Sequence, residues 1–199
     1  MSEQTTLRRV VRLVAVLNLA YFCVEFAVAV AIGSVALLAD SIDFLEDASV
    51  NLLIAVALEW GARARARLGM ILAGLLLVPA LATLWMAGAK FLVPVAPEPL
   101  PLSITGLGAL AINATCALML ARFRRRGGSL ARAAFLSARN DALANAAIIA
   151  AGAVTAFLWR TAWPDLIVGL AIAGINADAA REVWSAARDE HRAASNLVA

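Results

Sequence analysis

Six long apolar runs fill almost the whole chain. Their approximate ranges are residues 10–32, 35–58, 68–93, 102–122, 133–158 and 164–184. Each is long enough to cross a bilayer as a helix, which needs roughly 20 apolar residues. Of the 199 residues 63% are hydrophobic and 16% are charged, whereas soluble domains are about 45–50% apolar and about 25% charged. The pattern predicts an all-α polytopic membrane protein with a bundle of six transmembrane helices.

The basic residues predict which side of the membrane each loop faces. One side holds 14 of the 17 arginines and lysines: Arg8, Arg9, Arg12, Arg63, Arg65, Arg67, Arg122, Arg124, Arg125, Arg126, Arg132, Arg181, Arg188 and Arg192. The opposite side has only Lys90 and Arg160, and Arg139 falls inside the fifth run. Because arginine and lysine mark the cytoplasmic side, both termini are predicted to be cytoplasmic. The arginine-rich stretch 122–128 therefore indicates lipid headgroups rather than nucleic acid as its partner.

The same runs predict the organisation of the chain. Residues 1–8 are expected to form a cytoplasmic tail, residues 9–188 the six-helix membrane domain, and residues 189–199 a second short cytoplasmic tail. The first run is too long for a signal peptide and has no small-residue cleavage site, so we expect it to be a retained helix. The predicted location is the plasma membrane, the inner membrane of a bacterium.

The second run carries four carboxylates within eight residues, at Asp40, Asp43, Glu46 and Asp47. A charged side chain at the centre of a membrane helix costs roughly 2.5–3.5 kcal/mol, and such residues usually mark an ion pathway. At about 100° per residue, Asp40, Asp43 and Asp47 share one helix face with Asn51. Asp43 and Asp47 lie one turn apart, so their carboxylates repel each other unless a proton or a cation joins them.

Two other runs carry matching polar residues. In the fifth run Ser137 and Asp141 repeat the spacing of one helical turn, and Asn145 follows one turn later. In the first run Asn18 and Glu25 share a face. Oxygen ligands on facing helices suit a divalent cation. A single polar residue can instead form a hydrogen bond between helices. For the asparagines both interpretations stay open: Asn18, Asn51, Asn113 and Asn145.

These residues also carry a resemblance to a known family. The stretch GSVALLADSIDFLEDASVN (33–51) resembles the second transmembrane helix of the cation diffusion facilitator, or cation efflux, family, which has the pattern G-S-x-A-L-L-A-D-x-x-[HD]-x-x-x-D. Residues 129–152 resemble the fifth helix, where [HD]-x-x-x-D recurs, and residues 18–25 and 164–175 resemble the first and sixth. Members are six-helix secondary transporters, commonly homodimers, that usually export Zn²⁺ and related ions against protons.

The resemblance implies a transport site and its partners. The implied metal ligands are Asp43, Asp47, Asp141 and Ser137. Supporting residues along the pathway are Asp40, Asn51, Asn145, Asn18 and Glu25. The divalent metal is then the substrate and protons are the counter-ion, with no cofactor and no enzymatic activity. Three carboxylates and a hydroxyl without histidine favour Mn²⁺ or Fe²⁺, whereas the family favours Zn²⁺. We therefore expect a divalent transition metal, with Co²⁺ and Cd²⁺ also open.

The chain departs from the family pattern in three places. Ser137 stands where histidine or aspartate is usual. Glu46 and Arg139 are charged where the family is usually apolar, and we predict that they form a buried ion pair, directly or through water, between the second and fifth helices. Members usually end in a cytoplasmic metallochaperone-like domain, which is not expected here because few residues follow the sixth run.

Two other functions compete with transport. In the first, the protein is a non-transporting member in which Arg139 lies over Asp141 or Asp47 and takes the place of the cation. In the second it is an intramembrane enzyme, but the sequence has no G-x-S-x-G, no H-E-x-x-H and no histidine in any apolar run.

Overall fold

A computed structural model of the protein describes residues 3–56, 81–121, 123 and 128–175. The described residues form six helices and no strand. The helices are α1 (Glu3–Ile32), α2 (Val35–Val56), α3 (Leu81–Leu92), α4 (Pro99–Ala121), α5 (Gly128–Phe157) and α6 (Trp163–Ile175). The predicted all-α membrane fold is confirmed. The predicted tail at 189–199 and the first part of the third apolar run lie outside the described residues.

Several helices begin before the apolar run that predicted them. Helix α1 begins at Glu3, so residues 3–8, which were predicted to be a tail, are helical. Helix α5 begins at Gly128 rather than near residue 133. Glutamate, glutamine and arginine are good helix formers, so a helix can continue past its apolar segment into the headgroup region. Helix α4 begins at Pro99, a position where proline loses no helical hydrogen bond.

Three of the described helices are long and apolar enough to cross a membrane. These segments are Thr6–Ile32, Pro99–Ala121 and Ser137–Phe157, while α3 and α6 are shorter apolar helices. Helix α2 has 22 residues, but four of them are acidic. Large apolar side chains such as Leu118, Leu143 and Phe157 are exposed on the outer surface of the bundle. A lipid bilayer is the environment in which such a surface is stable.

Four helices pack in a ring. Helix α1 packs along α2, α4 packs along α5, and the ring closes through contacts of α1 with α4 and of α2 with α5. Across the α1–α4 contact the Tyr21 hydroxyl donates to the Thr105 carbonyl at 2.6 Å. The acidic face of α2 is therefore placed between α1 and α5, the two helices that carry the other predicted polar residues.

A tight turn joins α1 to α2. Gly33 has φ +64°, a left-handed conformation that glycine adopts without strain. The Ser34 amide donates to the Ala29 carbonyl at 2.9 Å, the six-residue bond that closes many helix C-termini. Only Gly33 and Ser34 separate the two helices, so the antiparallel pairing of α1 and α2 is fixed at the turn.

Candidate cation site

The two predicted ligand motifs meet where α2 packs against α5. Ser137 Oγ donates to Asp47 Oδ1 at 2.9 Å. Asp47 is 5% exposed and Ser137 is half-buried. This hydrogen bond joins the two motifs directly. It places a carboxylate and a hydroxyl from two helices at one point in the bundle.

Asp43 and Asp141 lie beside this contact. Both are half-buried, and each is one turn from a member of the Ser137–Asp47 bond. The carboxylates of Asp43, Asp47 and Asp141 are near enough to repel one another electrostatically. Among the described residues no three Asp, Glu, His or Cys side chains are close enough together to hold a metal ion. An ion held by all three carboxylates therefore requires their side chains to turn toward a common centre.

A second pair of carboxylates lies between α1 and α2. Glu25 and Asp40 face each other and are both 0% exposed. Apart from the contact between the two carboxyl groups, none of their four oxygens has a hydrogen-bond partner within the described part of the protein. An unpaired buried charge is very costly. This pair therefore requires a proton or a cation between its members.

The asparagines use their amide groups in a common way. Asn51 donates to the Asp47 carbonyl at 2.9 Å, Asn145 to the Asp141 carbonyl at 2.7 Å, and Asn18 to the Val14 carbonyl at 3.0 Å. Each bond stays within one helix, and Asn18 alone of the three also reaches another helix, through a 3.9 Å contact with Cys116 Sγ.

The oxygens of these amides remain available as acceptors or ligands. Buried side-chain oxygens without a partner in the described region belong to Asn18, Asn51, Asn113 and Asn145. Two of these oxygens, on Asn51 and Asn145, follow the site carboxylates of α2 and α5 by one turn. The sequence left two roles open for the asparagines, cation binding and hydrogen bonding between helices. Among Asn18, Asn51 and Asn145, only Asn18 makes a contact of the second kind, and that contact is weak.

The predicted ion pair between Glu46 and Arg139 is not formed. Arg139 is exposed, and its Nη2 donates to Asn140 Oδ1 at 3.1 Å. Arg139 is about 160° around α5 from Asp141, so it points away from α2 while Glu46 stays half-buried on α2. For the same reason the Arg139 side chain does not take the place of a cation between Asp47 and Asp141.

Replacing Arg139 is expected to change stability little. Arg139→Leu should alter the free energy of unfolding in detergent by no more than about 0.5 kcal/mol, because exposed substitutions away from special features usually stay in this range. In a double-mutant cycle Glu46→Leu and Arg139→Leu should be additive. A coupling energy of about 1 kcal/mol or more between them would show that the two charges do pair in the detergent-solubilised protein.

Sequence reasoning missed one buried ion pair. Lys90 Nζ lies 2.7 Å from Asp165 Oδ2, and the Asp165 side chain is 0% exposed. In the sequence Lys90 was a basic residue on the sparsely charged side, and Asp165 marked the start of the sixth helix. The available signal was a pair of opposite charges on the same predicted side of the membrane, with Lys90 near the end of the third apolar run and Asp165 at the start of the sixth.

The comparisons with known proteins agree with this architecture. The family model for the cation efflux transmembrane domain matches residues 11–189. No curated protein matches the chain. The matched residues include α1 from residue 11 onward, the acidic face of α2, and the turn of α5 from Ser137 to Asp141. A match over nearly all of its length shows that this integral membrane protein belongs to the cation efflux family, whose members are cation transporters.

Proposed function

We propose that the protein is a secondary transporter that exports divalent transition-metal cations from the cytoplasm in exchange for protons. The observation that carries the proposal is the 2.9 Å hydrogen bond between Ser137 and Asp47. It brings together two helix-borne ligand motifs, each with a second oxygen ligand one turn away. Membership of a cation transporter family supports the same function.

The cation is held by Asp43, Asp47, Asp141 and Ser137 in this proposal. Three carboxylates supply more negative charge than a divalent ion neutralises, and the hydroxyl of Ser137 completes a set made only of oxygens. Oxygen ligands suit Mn²⁺ and Fe²⁺, whereas imidazole and thiolate favour Zn²⁺. The amide oxygens of Asn51 and Asn145 are unpartnered and buried. They are available as neutral ligands on the same two helices.

Protons compete with the metal for the same carboxylates, because a carboxylate must lose its proton to bind a cation. Loading of a metal from the cytoplasm then releases protons, and protonation on the other side releases the metal. The Glu25–Asp40 pair supplies a second place where a proton is held, between α1 and α2, with Asp40 one turn before Asp43 on α2. Rocking of the bundle exposes the site alternately to the two sides.

The setting we propose is a homodimer in the inner membrane of a bacterium. The distribution of arginines along the sequence supports this setting, since arginine and lysine mark the cytoplasmic side of a membrane protein. The divalent ion is the substrate in this scheme, and no resident cofactor takes part.

Uptake into proteoliposomes tests the proposed function. Purified protein is reconstituted and loaded on one side with Zn²⁺, Mn²⁺, Fe²⁺, Co²⁺ or Cd²⁺, with and without a pH gradient. We expect flux of at least one ion above that of protein-free vesicles, and faster flux when protons move in the opposite direction. Flux at background for all five ions, together with no metal-dependent thermal stabilisation, would support the non-transporting alternative instead.

The Ser137→His substitution is expected to shift selectivity toward Zn²⁺. An imidazole one turn before Asp141 restores the histidine or aspartate that the family pattern carries there, and imidazole is a better ligand for Zn²⁺ than a hydroxyl. The measurement is the ratio of Zn²⁺ to Mn²⁺ transport rates in the variant and in the unmodified protein. Ser137→Ala is the matched control, since it removes the hydroxyl without adding a nitrogen ligand. An unchanged ratio in Ser137→His would show that residue 137 does not face the ion.

A further inference from the structure

The first turn of α2 is anchored by a single side chain from α6. Asp165 Oδ2 accepts from the Val35 amide at 2.9 Å, and Oδ1 accepts from the Ala36 amide at 3.2 Å. The same Oδ1 accepts from Ser34 Oγ at 2.5 Å. Free amides at a helix N-terminus are normally capped by a side chain close in sequence. Here Ser34 Oγ accepts from the Leu37 amide at 3.1 Å in this local way, whereas the Val35 and Ala36 amides are capped by a residue 130 and 129 positions away.

Helix α3 joins the same anchor through Lys90. Its ammonium group donates to Asp165 Oδ2 at 2.7 Å, with the lysine side chain 8% exposed. Val35, Ala87, Ala162 and Leu166 form a buried apolar cluster at the same end of these helices. Water is therefore largely excluded, which strengthens both the ion pair and the capping hydrogen bonds.

The backbones of α2 and α6 also touch at this end. A Cβ atom added at Gly169 would lie 2.6 Å from the Val35 carbonyl carbon and 2.7 Å from the Ala36 nitrogen. Any residue larger than glycine at 169 would therefore force the first turn of α2 away from α6. The hydrogen bonds of Asp165 and the contact at Gly169 act on the same two residues of α2.

Contacts to three consecutive residues define both the height and the rotation of a helix. Helix α2 continues from Val35 to Val56 with no glycine or proline inside it, so a rotation imposed at its first turn is transmitted along its length. At 1.5 Å per residue, Asp43 lies about 12 Å and Asp47 about 18 Å from Val35 along the axis.

We propose that Asp165 is a positioning residue for the cation site. By capping α2 and binding Lys90, it sets the rotation at which α2 presents Asp43 and Asp47 to Ser137 and Asp141 on α5. The description of these residues as cation ligands rests on the proposed function. The rotation of α2 does not, and it can be measured without any transport.

The test is a cross-linking measurement across the α2–α5 contact. Cysteines replace Asp47 and Ser137 in a background where Cys23 and Cys116 are changed to alanine. A short bifunctional methanethiosulfonate then reports how closely residues 47 and 137 approach each other in the membrane. Asp165→Ala removes the cap, Asp165→Asn keeps one acceptor oxygen, and Gly169→Ala displaces α2 while leaving Asp165 in place. Glu98→Ala is the matched control, since it removes an exposed carboxylate from the same end of the bundle.

We expect cross-linking to slow several-fold in Asp165→Ala and in Gly169→Ala, to slow less in Asp165→Asn, and to be unchanged in Glu98→Ala. If Asp165→Ala does not fold, the comparison of Asp165→Asn with Gly169→Ala decides the question. Cross-linking at the unmodified rate in the folded variants would overturn the proposal, even if their transport falls. Slower cross-linking in a protein that transports none of the five ions would leave the positioning role standing and reject only the proposed function.

Discussion

Replacing Asp47 with alanine is expected to reduce metal flux to the level of protein-free vesicles. Asp47 is the buried carboxylate at the α2–α5 contact and accepts the hydrogen bond of Ser137. Its loss removes one of the three proposed anionic ligands and leaves the Ser137 hydroxyl without its partner on α2. Asp141→Ala should have the same effect, since it removes the carboxylate that α5 contributes. The measurement is initial flux in proteoliposomes of the ion that the unmodified protein transports best.

Two further variants test whether the loss of flux is caused by the loss of negative charge at residue 47. Asp47→Asn keeps the size of the side chain and an oxygen for Ser137, but removes the negative charge, and it should be as inactive as Asp47→Ala. Glu98→Ala removes an exposed carboxylate in the loop before α4, outside the two ligand motifs, and should transport normally. Flux within error of the unmodified protein in Asp47→Ala or Asp141→Ala, with normal membrane insertion, would reject these ligands.

Replacing Lys90 with methionine is expected to destabilise the protein strongly. Asp165 is 0% exposed, and removal of one partner of a buried ion pair costs about 3–5 kcal/mol because the other charge is left uncompensated. Methionine retains most of the length of the side chain, so the loss is mainly electrostatic. Denaturant or thermal unfolding in detergent measures the change in the free energy of unfolding.

A double-mutant cycle separates the ion pair from the cap. Lys90→Met and Asp165→Asn should be strongly non-additive, with the double variant more stable than the sum of the single effects predicts, since it leaves no charge unpaired. The asparagine still offers one oxygen to the amides of Val35 and Ala36. Additive single effects would mean that Lys90 and Asp165 do not stabilise each other in the membrane.

The sequence predicts the helices of this protein better than it predicts the contacts between them. The apolar runs predicted six helices because a membrane helix must be apolar over most of its length. They did not predict that α1 begins at Glu3, since hydrophobicity ends before the helix does. The one-turn spacings of Asp43 with Asp47 and of Ser137 with Asp141 indicated two ligand faces. The hydrogen bond between Asp47 and Ser137 is the contact by which those faces meet.

The contacts that sequence reasoning missed depend on how helices are rotated against each other. The spacing of residues gives the angle between two side chains on one helix, but not the angle between helices. Glu46 and Arg139 were therefore paired by their charges alone, and the structure places Arg139 on the outer surface beside Asn140. Lys90 and Asp165 are 75 residues apart, and only the packing of α3 and α6 beside the first turn of α2 brings them together.

The two-residue turn at Gly33 ties α1 to α2, whereas no such short connection ties α2 to α5. Helices α1 and α2 are joined by this turn and packed along their length, so we expect them to move together as one hairpin. Glu25 and Asp40 both lie within the hairpin, and we expect their separation to stay constant through a transport cycle. Asp47 and Ser137 lie on opposite sides of its boundary with α5. A movement of the hairpin relative to α5 would take apart the proposed ligand set while leaving the Glu25–Asp40 pair whole. Spin labels on α1, α2 and α5 would then record a constant α1–α2 distance and a changing α2–α5 distance.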